Sequence, residues 1–74
     1  MKTYEVKRIR VTSTMTPEQY NEAMFRATPY YCKGIKALRE YCGSTLHRWN
    51  NYYPTGRTVY SATNGNVDYL AISI

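Results

Sequence analysis

Two cysteines, Cys32 and Cys42, and the single histidine, His47, are the side chains best suited to covalent chemistry. A histidine that takes the proton of a thiol creates a nucleophile, so a Cys–His pair would be a candidate for thiol catalysis. We expect Cys42 at the end of a helix, where the helix dipole raises a thiol pKa, and Cys32 in the first turn of that helix, beside Lys33. Cys32 would be the better nucleophile, but a buried, inert cysteine is far more common than a reactive one.

These residues also make a poor metal site, because they supply at most three soft ligands and lack the compact spacing of zinc sites. The sequence contains no glycine-rich phosphate loop, paired-carboxylate motif or H-E-x-x-H segment. Its single aspartate, Asp68, is predicted opposite Ser61 beside a hairpin turn, where a structural role is the simpler interpretation. We therefore expect a protein that is not an enzyme and that uses no metal and no cofactor.

Basic and aromatic residues are the remaining groups that could carry a function. The chain of 74 residues has 10 Lys and Arg against 5 Asp and Glu, and it contains 9 tyrosines beside one Trp and one Phe. The net charge of +5 favours acidic or phosphate-rich partners, although it also suffices to keep a small protein soluble. One thin core cannot enclose so many large rings, so some of them are expected to face solvent or a partner.

The length predicts one domain over residues 1–74. The N-terminus lacks the apolar run of a secretory signal, and no segment approaches the roughly 20 apolar residues that cross a bilayer. Two cysteines are too few for the disulfide framework of a secreted mini-domain, and a shared helix would hold them about 15 Å apart, beyond disulfide reach. These features predict a cytoplasmic protein with two free thiols and no membrane contact.

The N-terminal part of the chain predicts a strand followed by a helix. Residues 3–14 are rich in β-branched side chains, but their apolar alternation changes phase near Lys7 and Arg8. Either a β-bulge lies there or the strand begins only after it. Thr16-Pro17-Glu18-Gln19 has the pattern of a capping box. It predicts a helix with an apolar stripe of Tyr20, Ala23, Met24 and Ala27.

The middle of the chain predicts a second helix, a short strand and a loop. Thr28-Pro29 repeats the first helix start, so we expect a helix to about Tyr41, closed by Gly43 in the left-handed conformation. Residues 44–49 favour a short strand. Residues 50–57 favour a loop by their Asn, Pro and Gly content. This loop carries Tyr52, Tyr53 and Arg57.

The C-terminal part predicts a β-hairpin, since Asn64-Gly65 is the strongest short signal for a two-residue turn. Such a turn would pair Tyr60 with Tyr69 and Val59 with Leu70. Alternation then separates an aliphatic face of the hairpin from a tyrosine face. The aliphatic face should pack against both helices. The predicted core is Met24, Ala27, Ile35, Leu38, Val59, Leu70 and Ile72.

Together these elements predict an α+β fold of β-α-α-β-β-β order, with two helices on one face of an antiparallel sheet of three or four strands. The tyrosine face stays open, and Arg8 and Arg10 share it if the first strand lies beside the hairpin. Such a bare surface suits single-stranded nucleic acid, because rings stack on bases and Arg neutralises phosphate. It suits a protein partner equally, and Tyr60 and Tyr69 would also form an ordinary stabilising cross-strand pair.

We predict a non-catalytic basic module that docks on RNA, on single-stranded DNA or on an acidic or nucleic-acid-binding protein. The alternative is a small inhibitor, of the kind that phages and mobile elements encode, that blocks a host enzyme or complex. The C-terminal strand ends at Ile74 without a charged guard, so an exposed edge would allow a homodimer. Basic residues on the second helix would track phosphates, although such runs are usually only solvated. The predicted binding residues are Arg8, Arg10, Tyr60, Tyr69, Tyr52, Tyr53, Lys33, Lys36 and Arg57.

Overall fold

The computed structural model describes residues 2–49 and 57–74, which form a five-stranded antiparallel sheet and two helices. The elements in chain order are β1 (Thr3–Arg10), α1 (Pro17–Arg26), β2 (Tyr30–Lys33), α2 (Gly34–Cys42), β3 (His47–Trp49), β4 (Val59–Asn64) and β5 (Val67–Ser73). The strand order is β2-β1-β5-β4-β3, so β2 and β3 are the edges. The α+β class is confirmed, and the sheet has more strands than predicted.

Helix α1 begins as the capping box predicts. The Gln19 backbone N–H donates to Thr16 Oγ1 over 3.2 Å, and the Thr16 N–H donates to Gln19 Oε1 over 2.9 Å. These two bonds satisfy donors that the first helical turn leaves free. Within the predicted apolar stripe, Met24 is buried, while Tyr20 and Ala23 are half-buried.

The prediction of a second helix start at Thr28-Pro29 is wrong, because β2 occupies residues 30–33 and pairs with β1. Proline disfavours the helical region for the residue before it, and Tyr-Tyr-Cys has strong strand propensity. Gly34 has φ of +85°, which lets the chain turn from strand to helix. Helix α2 is therefore shorter than predicted, but it ends as predicted at Gly43, with φ of +65°.

The predicted hairpin forms with its turn one residue later, at residues 65–66. Tyr60 consequently pairs with Ala71, and Tyr69 pairs with Ala62, so the predicted Tyr60–Tyr69 pair is wrong. Asp68 pairs with Thr63 instead of with Ser61. The partners move by two positions, and since side chains alternate with period two, the same residues still share each face.

The two helices lie on opposite faces of the sheet, which corrects the prediction that both lie on one face. On one face, the Tyr20 hydroxyl in α1 donates to Asp68 Oδ2 over 3.0 Å, and Lys7 Nζ donates to the Phe25 carbonyl oxygen over 3.1 Å. On the other face, Leu38 and Cys42 of α2 pack in a cluster with buried strand residues. Those strand residues are Tyr4, Val6, Cys32, Ala62, Tyr69 and Ala71.

The main core lies beneath α2, on the face that carries the tyrosines. Tyr69 is only 7% exposed, whereas Leu70 and Ile72 on the other face are half-buried. Each hairpin tyrosine pairs with a buried alanine, which leaves room for α2 to approach the sheet. Of the predicted core, Met24, Leu38 and Val59 are buried, and Ala27, Ile35, Leu70 and Ile72 are half-buried.

The phase change in β1 results from this two-sided packing. The strand pairs with β5 without interruption from Tyr4 to Arg10, so the predicted bulge is absent from the described pairing. Val6 faces α2, and Ile9 faces α1; both are buried. Since β5 pairs with both β1 and β4, the strand that leads to Ile74 is not the edge that the sequence predicted.

Candidate functional site

Charged residues are divided unequally between the two sides of the sheet. The α2 side consists of α2 and the strand residues that point towards it. The α1 side consists of α1 and the strand residues that point to the opposite face. The α2 side has five basic residues and one acidic residue: Arg8, Arg10, Lys36, Arg39, Arg48 and Glu40. The α1 side has three basic and four acidic residues: Lys7, Arg26, Lys33, Glu5, Glu18, Glu22 and Asp68. Lys2 and Arg57 lie outside the helices and strands and belong to neither count, and among the assigned residues the positive charge is concentrated on the α2 side.

The basic residues of the α2 side make no ion pair within residues 2–49 and 57–74. In that part of the chain, the ion pair present is Glu22–Arg26 on α1, with 2.9 Å between Oε1 and Nη2. All five cations of the α2 side are exposed. Unpaired, exposed cations of one sign create a local potential that attracts polyanions.

Two tyrosines and one arginine form a stacked cluster on the α2 side, which we define as Arg8, Tyr30 and Tyr41. The rings of Tyr30 and Tyr41 are parallel within 8°, and their centroids are 4.3 Å apart. The Arg8 guanidinium carbon lies 5.7 Å from the Tyr41 centroid. Tyr69 supports Tyr41 from beneath, edge to face, with centroids 5.8 Å apart. The cluster thus joins a cation to an aromatic stack.

Three elements bring the stacked cluster together. Tyr30 opens β2 and pairs with Val6 of β1, and Arg8 follows Val6 on the same face of that strand. Tyr41 lies near the C-terminus of α2, above β1 and β5. Burial raises the pKa of the Tyr41 phenol above its ordinary value of 10.0, and the Arg8 charge offsets only part of that rise. The phenol therefore remains a hydrogen-bond donor at neutral pH.

A second group of tyrosines with an arginine extends on the same face from Tyr4 of β1 to Tyr60 of β4 and Arg48 of β3. Tyr4 and Tyr60 meet edge to face, with ring centroids 5.7 Å apart, and Arg48 pairs with Tyr60 from β3. Burial raises the pKa of Tyr4, and the positive charge of Arg48 opposes that rise. The strands that carry Arg8 and Arg48 are three steps apart, which is about 14 Å.

The structure separates the predicted binding residues. Arg8 and Arg10 do share a face with Tyr60 and Tyr69, but α2 covers that face, so the predicted open tyrosine surface is wrong. Tyr69 is buried and Tyr60 is half-buried. Among the other predicted residues, Lys36 is exposed on α2, Lys33 points to the α1 side, Arg57 is exposed before β4, and Tyr52 and Tyr53 lie outside the described residues.

Sequence reasoning did not identify Tyr30 and Tyr41 as site residues. A helix over residues 29–41 would place the two rings far apart along its axis. The available signal was Tyr30-Tyr31-Cys32-Lys33 followed by Gly34, which is a short strand pattern ending at a residue suited to a sharp turn.

The cysteine and histidine placements do not support a nucleophilic pair. Cys32 lies in β2 and not in a helix, and both thiols are free and buried in the core between α2 and the sheet. Burial raises the pKa of Cys32, and it raises the pKa of Cys42 to about 11. His47 points to the opposite face, where its ring meets the Trp49 ring at 5.1 Å. No metal-binding group of three or more His, Cys, Asp or Glu occurs among the described residues.

The α1 side contains an open groove between α1 and the β3–β4 part of the sheet. Its volume is about 520 Å³, and its floor includes Leu70 and Ile72. Phe25, which is 82% exposed, and Trp49 border it. The Lys7 ammonium lies 5.7 Å from the Phe25 ring centroid. The groove combines an apolar floor with exposed aromatic borders.

The chain matches no protein-family model, no curated protein and no solved structure. Neither helix of the described residues has the length and apolar content needed to cross a membrane. Function is therefore inferred from the site itself.

Proposed function

We propose that this protein is a non-catalytic module that binds nucleic acid through the α2 side. The observation that carries this proposal is the presence there of five exposed cations that make no ion pair within the described part of the chain. Each cation that neutralises a phosphate releases condensed counterions, which favours binding at low salt. Two free thiols fit a reducing compartment, and we place the protein in the cytoplasm.

The arrangement of the cations supports a polyanion over a small anion. Arg8 and Arg10 point the same way on one strand, about 7 Å apart, and Arg48 stands three strands away. Arg39 and Lys36 are exposed on α2, which packs on the same face of the sheet. A single phosphate reaches one or two of these groups, whereas a nucleic-acid chain reaches all of them.

The test is fluorescence anisotropy of a labelled oligonucleotide titrated with the protein at several salt concentrations. If three to five phosphates are neutralised, the logarithm of the association constant should fall linearly with the logarithm of salt, with a slope of about −2 to −4. Absence of binding at low salt, or an affinity that salt does not change, would contradict the proposal. A nucleic-acid-binding protein would then be the preferred partner to test.

The groove on the α1 side favours a second candidate function, a small inhibitor that binds and blocks another protein. Aromatic residues supply much of the energy of protein interfaces, and Phe25 and Trp49 border this groove. A photoreactive phenylalanine analogue at position 25 tests this candidate. It should cross-link one purified target, and unlabelled protein should compete while a Phe25→Ala variant should not. Equal competition by the variant would contradict a role for the groove.

A further inference from the structure

We infer that the nucleic acid bound by the α2 side is single-stranded and that one unpaired base stacks on the outer face of Tyr30. This inference rests on the proposed function and specifies its ligand. It is carried by the stacked cluster, because Tyr30 has one ring face covered by Tyr41 and yet is 52% exposed.

The exposed part of Tyr30 is available for a third ring. Tyr41 covers one face of Tyr30 at 4.3 Å and 8°, so the remaining exposure belongs to the opposite face and the ring edges. A base on that face would extend an existing parallel stack by one layer. Stacking of a base on an aromatic side chain tolerates any sequence, because every base has a π face.

The contacts of Tyr30 and Tyr41 reduce the conformational entropy that the Tyr30 ring loses when a base binds. Tyr41 also contacts Tyr69 edge to face and lies 5.7 Å from the Arg8 guanidinium carbon. Tyr30 itself begins β2 and is paired with β1. A ring that is already positioned loses less conformational freedom when a base stacks on it.

Unpaired cations next to the stack supply the backbone contacts. Arg8 belongs to the stacked cluster, and Arg10 is exposed further along the same face of β1. A nucleotide whose base lies on Tyr30 therefore has guanidinium groups within reach of its neighbouring phosphates. Arginine also neutralises phosphate through two N–H groups at once.

A duplex does not offer the same contact. Each base inside a duplex has both faces covered by its neighbours, so a duplex offers Tyr30 a free face only at its two end pairs. The α2 side would still attract a duplex by charge alone. The stacked cluster therefore predicts a preference for single strands that charge does not explain.

The experiment compares one sequence as a single strand and as a duplex long enough that its two end pairs are a small fraction of the binding sites, with three variants. Tyr30→Ala should lower single-strand affinity about tenfold, and Tyr30→Phe should retain it. The matched control is Tyr31→Ala, since Tyr31 is the adjacent residue, is 54% exposed and points to the α1 side. This control should change affinity by less than about twofold. Circular dichroism verifies that each variant is folded.

A second readout uses the unaltered protein and a strand that carries 2-aminopurine. Stacking on Tyr30 should quench the fluorescence of the analogue, and Tyr30→Ala should abolish the quenching at saturation. No binding of the unaltered protein to either ligand would overturn the proposed function. Two results together would overturn this inference and leave the proposed function standing. They are equal affinity of the unaltered protein for the single strand and the duplex, and equal affinity of Tyr30→Ala and Tyr31→Ala for the single strand.

Discussion

Tyr30 lies flat against Tyr41, with ring centroids 4.3 Å apart and ring planes within 8°. This contact exists because Gly34 separates a strand from a helix and folds α2 back over the sheet. In one continuous helix the same two residues would be about 16 Å apart along the axis. The candidate site thus depends on a single change of secondary structure at a glycine with positive φ.

Removal of one cation from the α2 side should weaken nucleic-acid binding and its salt dependence. Arg8→Ala should lower affinity at low salt and reduce the salt slope by about 0.7, the value for one phosphate on a single strand. Arg26→Ala removes the same charge from the α1 side and should change affinity by less than about twofold, since screening weakens its distant effect. Equal losses from both variants would contradict a localised site.

Both thiols should be unreactive in the folded protein. Cys32 and Cys42 are buried, and burial raises their pKa, so little thiolate forms at pH 8. Alkylation by iodoacetamide should be at least about tenfold slower in buffer than in denaturant, as followed by mass spectrometry. A thiol that reacts faster in the folded protein than in the unfolded chain would revive the nucleophile interpretation.

Stability should fall at alkaline pH. Burial raises the pKa of Cys42 from 9.0 to about 11, and burial together with the hydrogen bond to Asp68 raises the pKa of Tyr20 from 10.0 to about 12. The folded state holds these protons more tightly than the unfolded chain, so their stabilisation is complete below pH 9 and is lost between pH 9 and pH 12.

Urea unfolding at pH 8, 9, 10 and 11 measures this loss. Cys42 should account for about 2 kcal/mol of it between pH 9 and pH 11. Cys42→Ala is expected to be less stable at pH 8 because it empties core volume, but its stability should depend less on pH over this interval. An unfolding midpoint that stays constant up to pH 11 would refute the pKa assignment.

Two glycines with similar φ angles should differ in how much an alanine substitution destabilises the protein. Gly43 and Gly65 have φ of +65° and +63°, so each substitution should cost about 1 kcal/mol of strain. An alanine Cβ at Gly43 would also lie 3.0 Å from Asn64 Nδ2, whereas Gly65 has open space. That amide donates to the Cys42 carbonyl at the end of α2 over 3.1 Å.

We expect Gly43→Ala to lower the free energy of unfolding by about 1 kcal/mol more than Gly65→Ala, since it also disturbs the Asn64 hydrogen bond. Thermal unfolding of the two variants measures the difference. Equal losses would show that Asn64 moves aside without cost.

Local signals in the sequence predicted the element ends well. The capping box at Thr16, the left-handed cap at Gly43 and the hairpin near Asn64 depend on residues close together in the chain, and all three are present. The residues that share each face of the hairpin were also predicted, because alternation survives a shift of the turn by one residue.

The face covered by each helix was not predictable from such local signals. Both faces of the sheet carry apolar groups, and aliphatic side chains alone suggested a core at Leu70 and Ile72. The sequence pattern suggests that Tyr60 and Tyr69 face a binding partner. A tyrosine ring paired with alanine nevertheless packs well under a helix, as Tyr69 does. The phase change between Val6 and Ile9 does indicate a sheet covered on both sides.

The most direct test of the proposed interface is an amide chemical-shift titration of the ¹⁵N-labelled protein with a short single strand. The largest shifts should map to Arg8, Arg10, Tyr30 and Tyr41 on the α2 side, while the amides of residues 18–26 in α1 remain unchanged. Shifts centred on α1 and Trp49, or no shifts at low salt, would contradict nucleic-acid binding by the α2 side.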